Sequence, residues 1–491
     1  MASSHFTPEQ LTERFELSSR IRNLVYGLVG IGVILVLIGA YLAQSADGHN
    51  DDSHGEEHAE VVTEDATVYT VSNDQHSDDS HGDDHGDNEH GDDGHADEAH
   101  VGDSHGDAHG DSHGEEAHGG GHGHHGPTWV TRLLTGFYMS NLYFITIAMG
   151  ALFFIAVHRV GNAGWQTAIR RVPEAMFGWL PFAAIAVVAC FLFMDQIFEW
   201  IIIPEGVDAL IDTKRAYLNP TGFIIRSIIF FSVWILIATI LRRLSTREDT
   251  LGGLRNFEKS LGISAGFVVF FAISYSLFAI DWIKSLEPHW FSTIFGVYTF
   301  AGSMASAMAT LTILVYFLRR QGYMKYVNDS HAQDINTYML GFSIFWAYMW
   351  VSQFLLIWYS NIPEETIYYV KRWSTEDAEY LGYAPYFYLN LLLNFVLPFL
   401  GMLNRNARRD PRFYIPVASI ILIGHWNDLF QMIMPGVMFD QAKIGMMEIG
   451  WFMIFAGLFL LVVFRGLAKA NLVPLKHPYL EESLHHTTGD V

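Results

Sequence analysis

Cysteine is nearly missing from this 491-residue sequence: Cys190 alone occurs, inside an apolar run. A single cysteine excludes disulfides within the chain, cysteine-held iron–sulfur clusters and Cys-rich zinc sites. Cys190 is expected to pack as a small hydrophobe. Positive charge is missing over a long stretch, with no Lys or Arg between Arg22 and Arg132. The sequence also lacks a P-loop, a dinucleotide-binding glycine pattern and a nucleophile elbow. No cleavable signal peptide is visible, because the first apolar run, 21–43, is too long for one and reads as an anchor.

What is present divides sharply. Half the residues are hydrophobic, yet the formal charge is −23. Between Asp47 and Glu116 lie 24 acidic residues, and the rest of the chain holds 28 acids against 29 bases. The acidity therefore belongs to one segment and says nothing about the partners of the body, which shows no basic surface suited to nucleic acid. The segment from Gly48 to Gly126 is low in complexity and carries 16 histidines. Its charge and scarcity of large apolar groups predict disorder, with 61–71 the one stretch able to pair as a strand. Imidazole and carboxylate at this density bind divalent metals, with His81, His85, His122, His124 and His125 as weak candidates. The same composition also reads as a solvated, pH-buffering spacer.

Apolar runs of roughly 20 residues cross a bilayer as helices. They fall near 22–43, 138–158, 179–201, 222–241, 261–280, 294–317, 335–358, 383–402, 413–433 and 448–465. The fold class is an all-α membrane protein of about ten transmembrane helices. With the N-terminus inside, the segments predicted cytoplasmic hold 21 of the 29 basic residues, as the positive-inside rule requires. Both termini are then cytoplasmic and the acidic loop is periplasmic. Tryptophans near span ends, among them Trp129, Trp200, Trp282, Trp290 and Trp358, read as an interfacial belt.

Charge inside a bilayer is costly and marks candidate sites. Asp195 and Glu199, spaced i,i+4 in the third run, are expected on one helix face in its outer half. Arg226 opens the fourth run and Asp281 closes the fifth, with Lys284 just beyond, so Asp195, Glu199, Arg226 and Asp281, four groups from three helices, are expected at one depth. They read as a proton-carrying or ligand-binding cluster, or as snorkelling charge at helix ends. In the ninth run His425 and Asp428 are spaced i,i+3, which suits either a proton relay or a structural pair joining two helices. Asn390 and Asn394 in the eighth run read as helix–helix contacts. Haem held between helices needs facing histidines, whereas His425 is the one histidine deep in a run, and His158 and His289 lie at run ends. No tightly bound redox cofactor is expected.

Several segments resemble the NrfD/polysulfide-reductase-like membrane subunits of alternative complex III, and most closely their F-type member. They are DWIKSLEPHWFSTIFGVYTFAGS (281–303), FSIFWAYMWVSQFLLIWYSNIPEET (342–366), FVLPFL (395–400), GHWNDLF (424–430) and the stretch 151–165. The resemblance extends over most of 130–466 and leaves out the His-rich loop. It implies two four-helix bundles, spans two to five and six to nine, with spans one and ten flanking. The chain then divides into an arm (1–21), an anchor (22–43), the loop (44–127), the two bundles (128–290 and 291–434), a last helix (435–470) and a tail (471–491).

The resemblance further implies a bacterial inner-membrane complex that oxidises quinol, menaquinol included, and passes electrons to a cytochrome c or an oxidase. The expected partners are a homologous NrfD-like subunit, an iron–sulfur subunit and c-type cytochrome subunits, with a terminal oxidase downstream. Haem c and iron–sulfur clusters belong to those partners. In such subunits the quinol pocket lies toward the outer face of the first bundle, where Asp195, Glu199, Arg226 and Asp281 are expected. Asp195, Glu199, Arg226, Asp281, His289, His425 and Asp428 are thus the proton-relay or quinone-pocket candidates. Two other readings remain open: a divalent-metal secondary transporter, and a purely structural anchor.

Overall fold

The computed structural model describes residues 11–56, 128–373, 382–439 and 444–489. The His-rich stretch, with His81, His85, His122, His124 and His125, the expected strand at 61–71 and the expected disorder, lies outside the described residues. Among the described residues ten helices are long and apolar enough to cross a membrane, numbered here one to ten. They are Ser19–Ser45, Trp129–Val160, Arg171–Gln196, Pro220–Leu251, Leu254–Leu286, Phe295–Arg320, Asp329–Ser360, Ala384–Met402, Pro411–Val437 and Met446–Ala468. The chain is an all-α, multi-pass membrane protein. Local signals start several spans. Thr128, Asn219, Asn328 and Asp410 each cap a helix by accepting a hydrogen bond from its first turn. Pro220 and Pro411 follow two of those caps, where a missing N–H costs nothing.

Spans two to five close a ring, with two packed on three and five, and four packed on three and five. Spans six to nine close a second ring in the same way. Spans two, six and nine meet across the seam between the rings. Their apolar windows are 78–83% buried, against 17–44% for the other seven, so the core of the molecule is this seam. Gly150 sets the closest approach there, since a Cβ on it would lie 2.6 Å from the Ser303 carbonyl oxygen. Span ten packs on spans two and three, and span one lies on span ten at Gly32 and Gly450, where either Cβ would lie 2.7 Å from the other's carbonyl oxygen. Small residues at such contacts let helices approach closely in a solvent that offers no hydrophobic driving force between them.

The arm and the tail share one face of the molecule, called the terminal face below. Leu472 N–H donates to the Glu13 carbonyl at 3.0 Å. The tail folds back over the first bundle, burying Leu472, Val473, Leu480 and Leu484. Ser483 ties it down, donating to the Trp165 carbonyl at 2.6 Å and accepting from Ala168 N–H at 2.9 Å.

Two expectations need correction. Span three does not run as one helix through Glu199. It is built of short helical pieces, turns non-helical at Phe193 (φ −137°, ψ 32°), and the backbone is extended at Phe198 before a new turn starts at Glu199. Asp195 and Glu199 therefore do not share a helix face. The tryptophan belt is also thinner than expected: Trp200, Trp282 and Trp290 are fully buried inside the protein, while Trp358 is exposed. An indole enclosed by protein cannot anchor at a lipid interface. Cys190 is buried, as a small hydrophobe should be.

Candidate functional site

Each helix of the second bundle sends a polar group to one point. Asp428 on span nine accepts from the Tyr298 hydroxyl of span six, from Trp346 Nε1 of span seven at 2.9 Å and from Asn390 Nδ2 of span eight at 2.7 Å. Asn394 extends the network, donating to Asn390 Oδ1 at 2.6 Å. The turn that carries Asn394, Leu392–Val396, is a π-helix, an insertion that re-aims side chains and is frequent at functional sites. Asn390 thus links spans eight and nine, whereas Asn394 bonds within span eight and steadies Asn390. Tyr298 and Trp346 were not singled out from sequence.

His425 stands one turn away, its Nδ1 3.8 Å from Asp428 Oδ2, beyond hydrogen-bond reach. Its side chain is 4% exposed, and neither ring nitrogen has a hydrogen-bond partner among the described residues. The ring lies against Trp346 edge-to-face and against Gly302, where a Cβ would come within 3.2 Å of Nδ1. Beside it, in the seam between the bundles, is a cavity of about 30 Å³ lined by Thr146, Thr299, Ser303, Ser306, His425 and Asp428 among others. A space of this size bordered by several polar groups has room for a water molecule. Ser303 and Thr146 also bond across the seam, the Ser303 hydroxyl donating to the Thr146 carbonyl at 2.6 Å.

The first-bundle candidates come together only in part. Arg226 and Asp281 form a two-pronged pair, Nε to Oδ2 at 2.8 Å and Nη2 to Oδ1 at 3.0 Å. Asp281 is buried, and the Arg226 guanidinium lies 4.0 Å from the Tyr217 ring centre. The Tyr217 hydroxyl is pushed well above its ordinary range, first by burial and then by the Asp281 charge. Asp195 is exposed, with the adjacent Gln196 amide donating to it at 3.4 Å. Glu199 is half-buried. His289 lies beyond span five, exposed, with Nε2 2.6 Å from Asp208 Oδ2. Burial raises Asp208, but bonds from Ile211 N–H, His289 and Leu210 N–H outweigh it and hold the carboxyl below its usual range.

Two further ionic clusters were not foreseen. Arg372, buried after span seven, donates to Glu287 at 2.5 Å and to the Gln431 carbonyl at 2.9 Å, over the Tyr368 ring. On the terminal face, Arg170, Arg171 and Arg242 surround Glu174, at 2.8, 3.4 and 3.0 Å. Arg171 also holds Asp249 at 2.8 Å, and Arg159 reaches Glu248 at 3.5 Å. His477 of the tail completes this layer, accepting from Arg159 at 2.7 Å. Burial first, then Arg170 and Arg171, push its imidazole down to about 3.

Among the described residues no group of three or more His, Cys, Asp or Glu is placed to hold a metal ion. No protein-family model and no curated protein matches the chain.

Proposed function

We propose that this chain is an integral membrane subunit, without a tightly bound redox group of its own, of a bacterial quinol-oxidising respiratory complex, and that it handles protons through His425. The resemblance of 281–303 and 342–366 to NrfD-like subunits supports the assignment to such a complex. In this reading the terminal face is cytoplasmic and the His-rich loop periplasmic. An NrfD-like homologue, an iron–sulfur subunit and c-type cytochromes surround the chain, and electrons leave toward a cytochrome c or an oxidase.

The observation that carries the proton role is His425 itself. It is buried, its ring nitrogens lack protein partners among the described residues, and it adjoins a cavity, bordered by several polar groups and with room for water, in the seam between the bundles. Imidazole is the side chain suited to taking up and releasing protons near neutrality, and quinol oxidation releases protons along with electrons. Asp428, fixed by three donors from three helices, serves as the stationary counter-charge that makes a positive ring tolerable at this depth. The Arg226–Asp281 pair, with both carboxylate oxygens engaged, serves as a clamp between spans four and five.

His425→Phe and His425→Gln, introduced into the native complex, test this. Both are expected to lower proton-coupled quinol turnover severalfold while subunit composition stays intact. Unchanged turnover and unchanged proton-to-electron ratio in both variants would overturn the proton role.

A further inference from the structure

A groove of about 1040 Å³ runs along the membrane-facing side of the first bundle, between spans three, four and ten. Its walls are apolar, with Phe182, Ile185, Ile235, Phe455 and Leu458 among them. Its depth comes from small residues, since Ala175, Gly178, Ala186, Ala189 and Ala238 line it where larger side chains would fill it. At the terminal-face end the character changes abruptly, to Arg242, Arg243, Arg465 and Lys469. Arg242 is spoken for, donating to Glu174 at 3.0 Å and to the Gly466 carbonyl at 2.8 Å. Arg243, Arg465 and Lys469 are all exposed, and the side chains of all three make no hydrogen bond or ion pair among the described residues.

We infer that this groove is a binding site for an acidic phospholipid of the leaflet on the terminal face. Its acyl chains lie along the apolar wall, and its phosphate is held by Arg243, Arg465 and Lys469. The charge pattern selects this occupant. A zwitterionic lipid gains less from three unpaired cations, because its own ammonium offsets its phosphate. A transmembrane helix of a partner, apolar at this depth, would leave them unpaired as well. Basic clusters at the membrane surface attract anionic headgroups, and each Lys or Arg contributes severalfold to affinity. The groove bottom is continuous with the buried layer around Glu174, so an anion there also balances the surplus of arginine over carboxylate in that layer. The inference is independent of the respiratory reading.

The test is native mass spectrometry of the full-length protein, delipidated and then titrated with phosphatidylglycerol or with phosphatidylcholine. Wild type is expected to retain phosphatidylglycerol at least tenfold more tightly. R243Q/R465Q/K469Q, which removes three positive charges from side chains outside the ionic network, should abolish that preference. Ala189→Trp, which blocks the acyl part and leaves the charges, should weaken retention of phosphatidylglycerol to the phosphatidylcholine level. Inorganic phosphate should not compete at millimolar concentration. Equal retention of both lipids by wild type, an unchanged preference in the triple variant, or displacement by phosphate would each overturn the inference. So would a crosslink from position 189 to a partner helix.

Discussion

Replacing Asp428 by Asn asks whether the second bundle is organised around a carboxylate. Its Oδ1 accepts from Tyr298 and Asn390, and its Oδ2 from Trp346. An amide supplies one oxygen, which can keep Tyr298 and Asn390. Its NH2 then meets the Trp346 N–H, donor against donor. The flipped amide meets Asn390 instead, whose own oxygen already accepts from Asn394. One donor is stranded either way, at about 1–3 kcal/mol. The two surviving bonds lose their ionic partner, at about 1 kcal/mol each. A destabilisation of about 3–5 kcal/mol follows, against an average near 0.6 kcal/mol for a hydrogen bond between membrane helices. Reversible unfolding in mixed micelles, run as a double-mutant cycle with Trp346→Phe, measures it. Removing the opposing N–H should make D428N cheaper by about 1–3 kcal/mol when Trp346→Phe is already in place. A cost below about 0.6 kcal/mol, or equal costs in both backgrounds, would refute the reasoning.

Glu287→Gln should cost about 3–5 kcal/mol in the same assay, because it leaves the buried Arg372 guanidinium without its counter-ion; a loss under about 1 kcal/mol would show that the Gln431 carbonyl and the Tyr368 ring suffice. Docking of the tail should depend on pH through His477, whose folded value of about 3 lies below its ordinary 6.5. The undocked tail takes up a proton below about pH 6.5 and the docked tail does not, so docking is intact above that pH and weakens by up to about 1.4 kcal/mol per unit toward pH 3. Amide exchange across 470–486, corrected for its intrinsic pH dependence, should accelerate up to about tenfold per unit, and a flat profile would contradict the burial of a neutral ring.

The ten spans were legible because each is a long apolar run, and hydropathy reads such runs directly. The break in span three was not, since its apolar run continues past Phe193. The break lets Phe198 and Trp200 turn inward onto Phe223, a tertiary preference invisible to composition. In the second bundle, spacing found His425, Asp428, Asn390 and Asn394. It missed Tyr298 and Trp346, because aromatic residues are abundant in these spans and nothing in their spacing separates a hydrogen-bond donor from packing. The terminal-face network was hidden for a different reason. Arg170, Arg171 and Arg242 counted correctly as basic residues of one face, but their pairing with Glu174 and Asp249 is set by tertiary contacts, and His477 lies more than 200 residues beyond Arg242.

The assignment to a quinol-oxidising complex is tested most directly by isolating this protein from its native membrane in mild detergent. The account predicts co-purification with c-type haem and iron–sulfur subunits and a preparation that oxidises quinol. A stable, colourless homo-oligomer without quinol oxidation would contradict it.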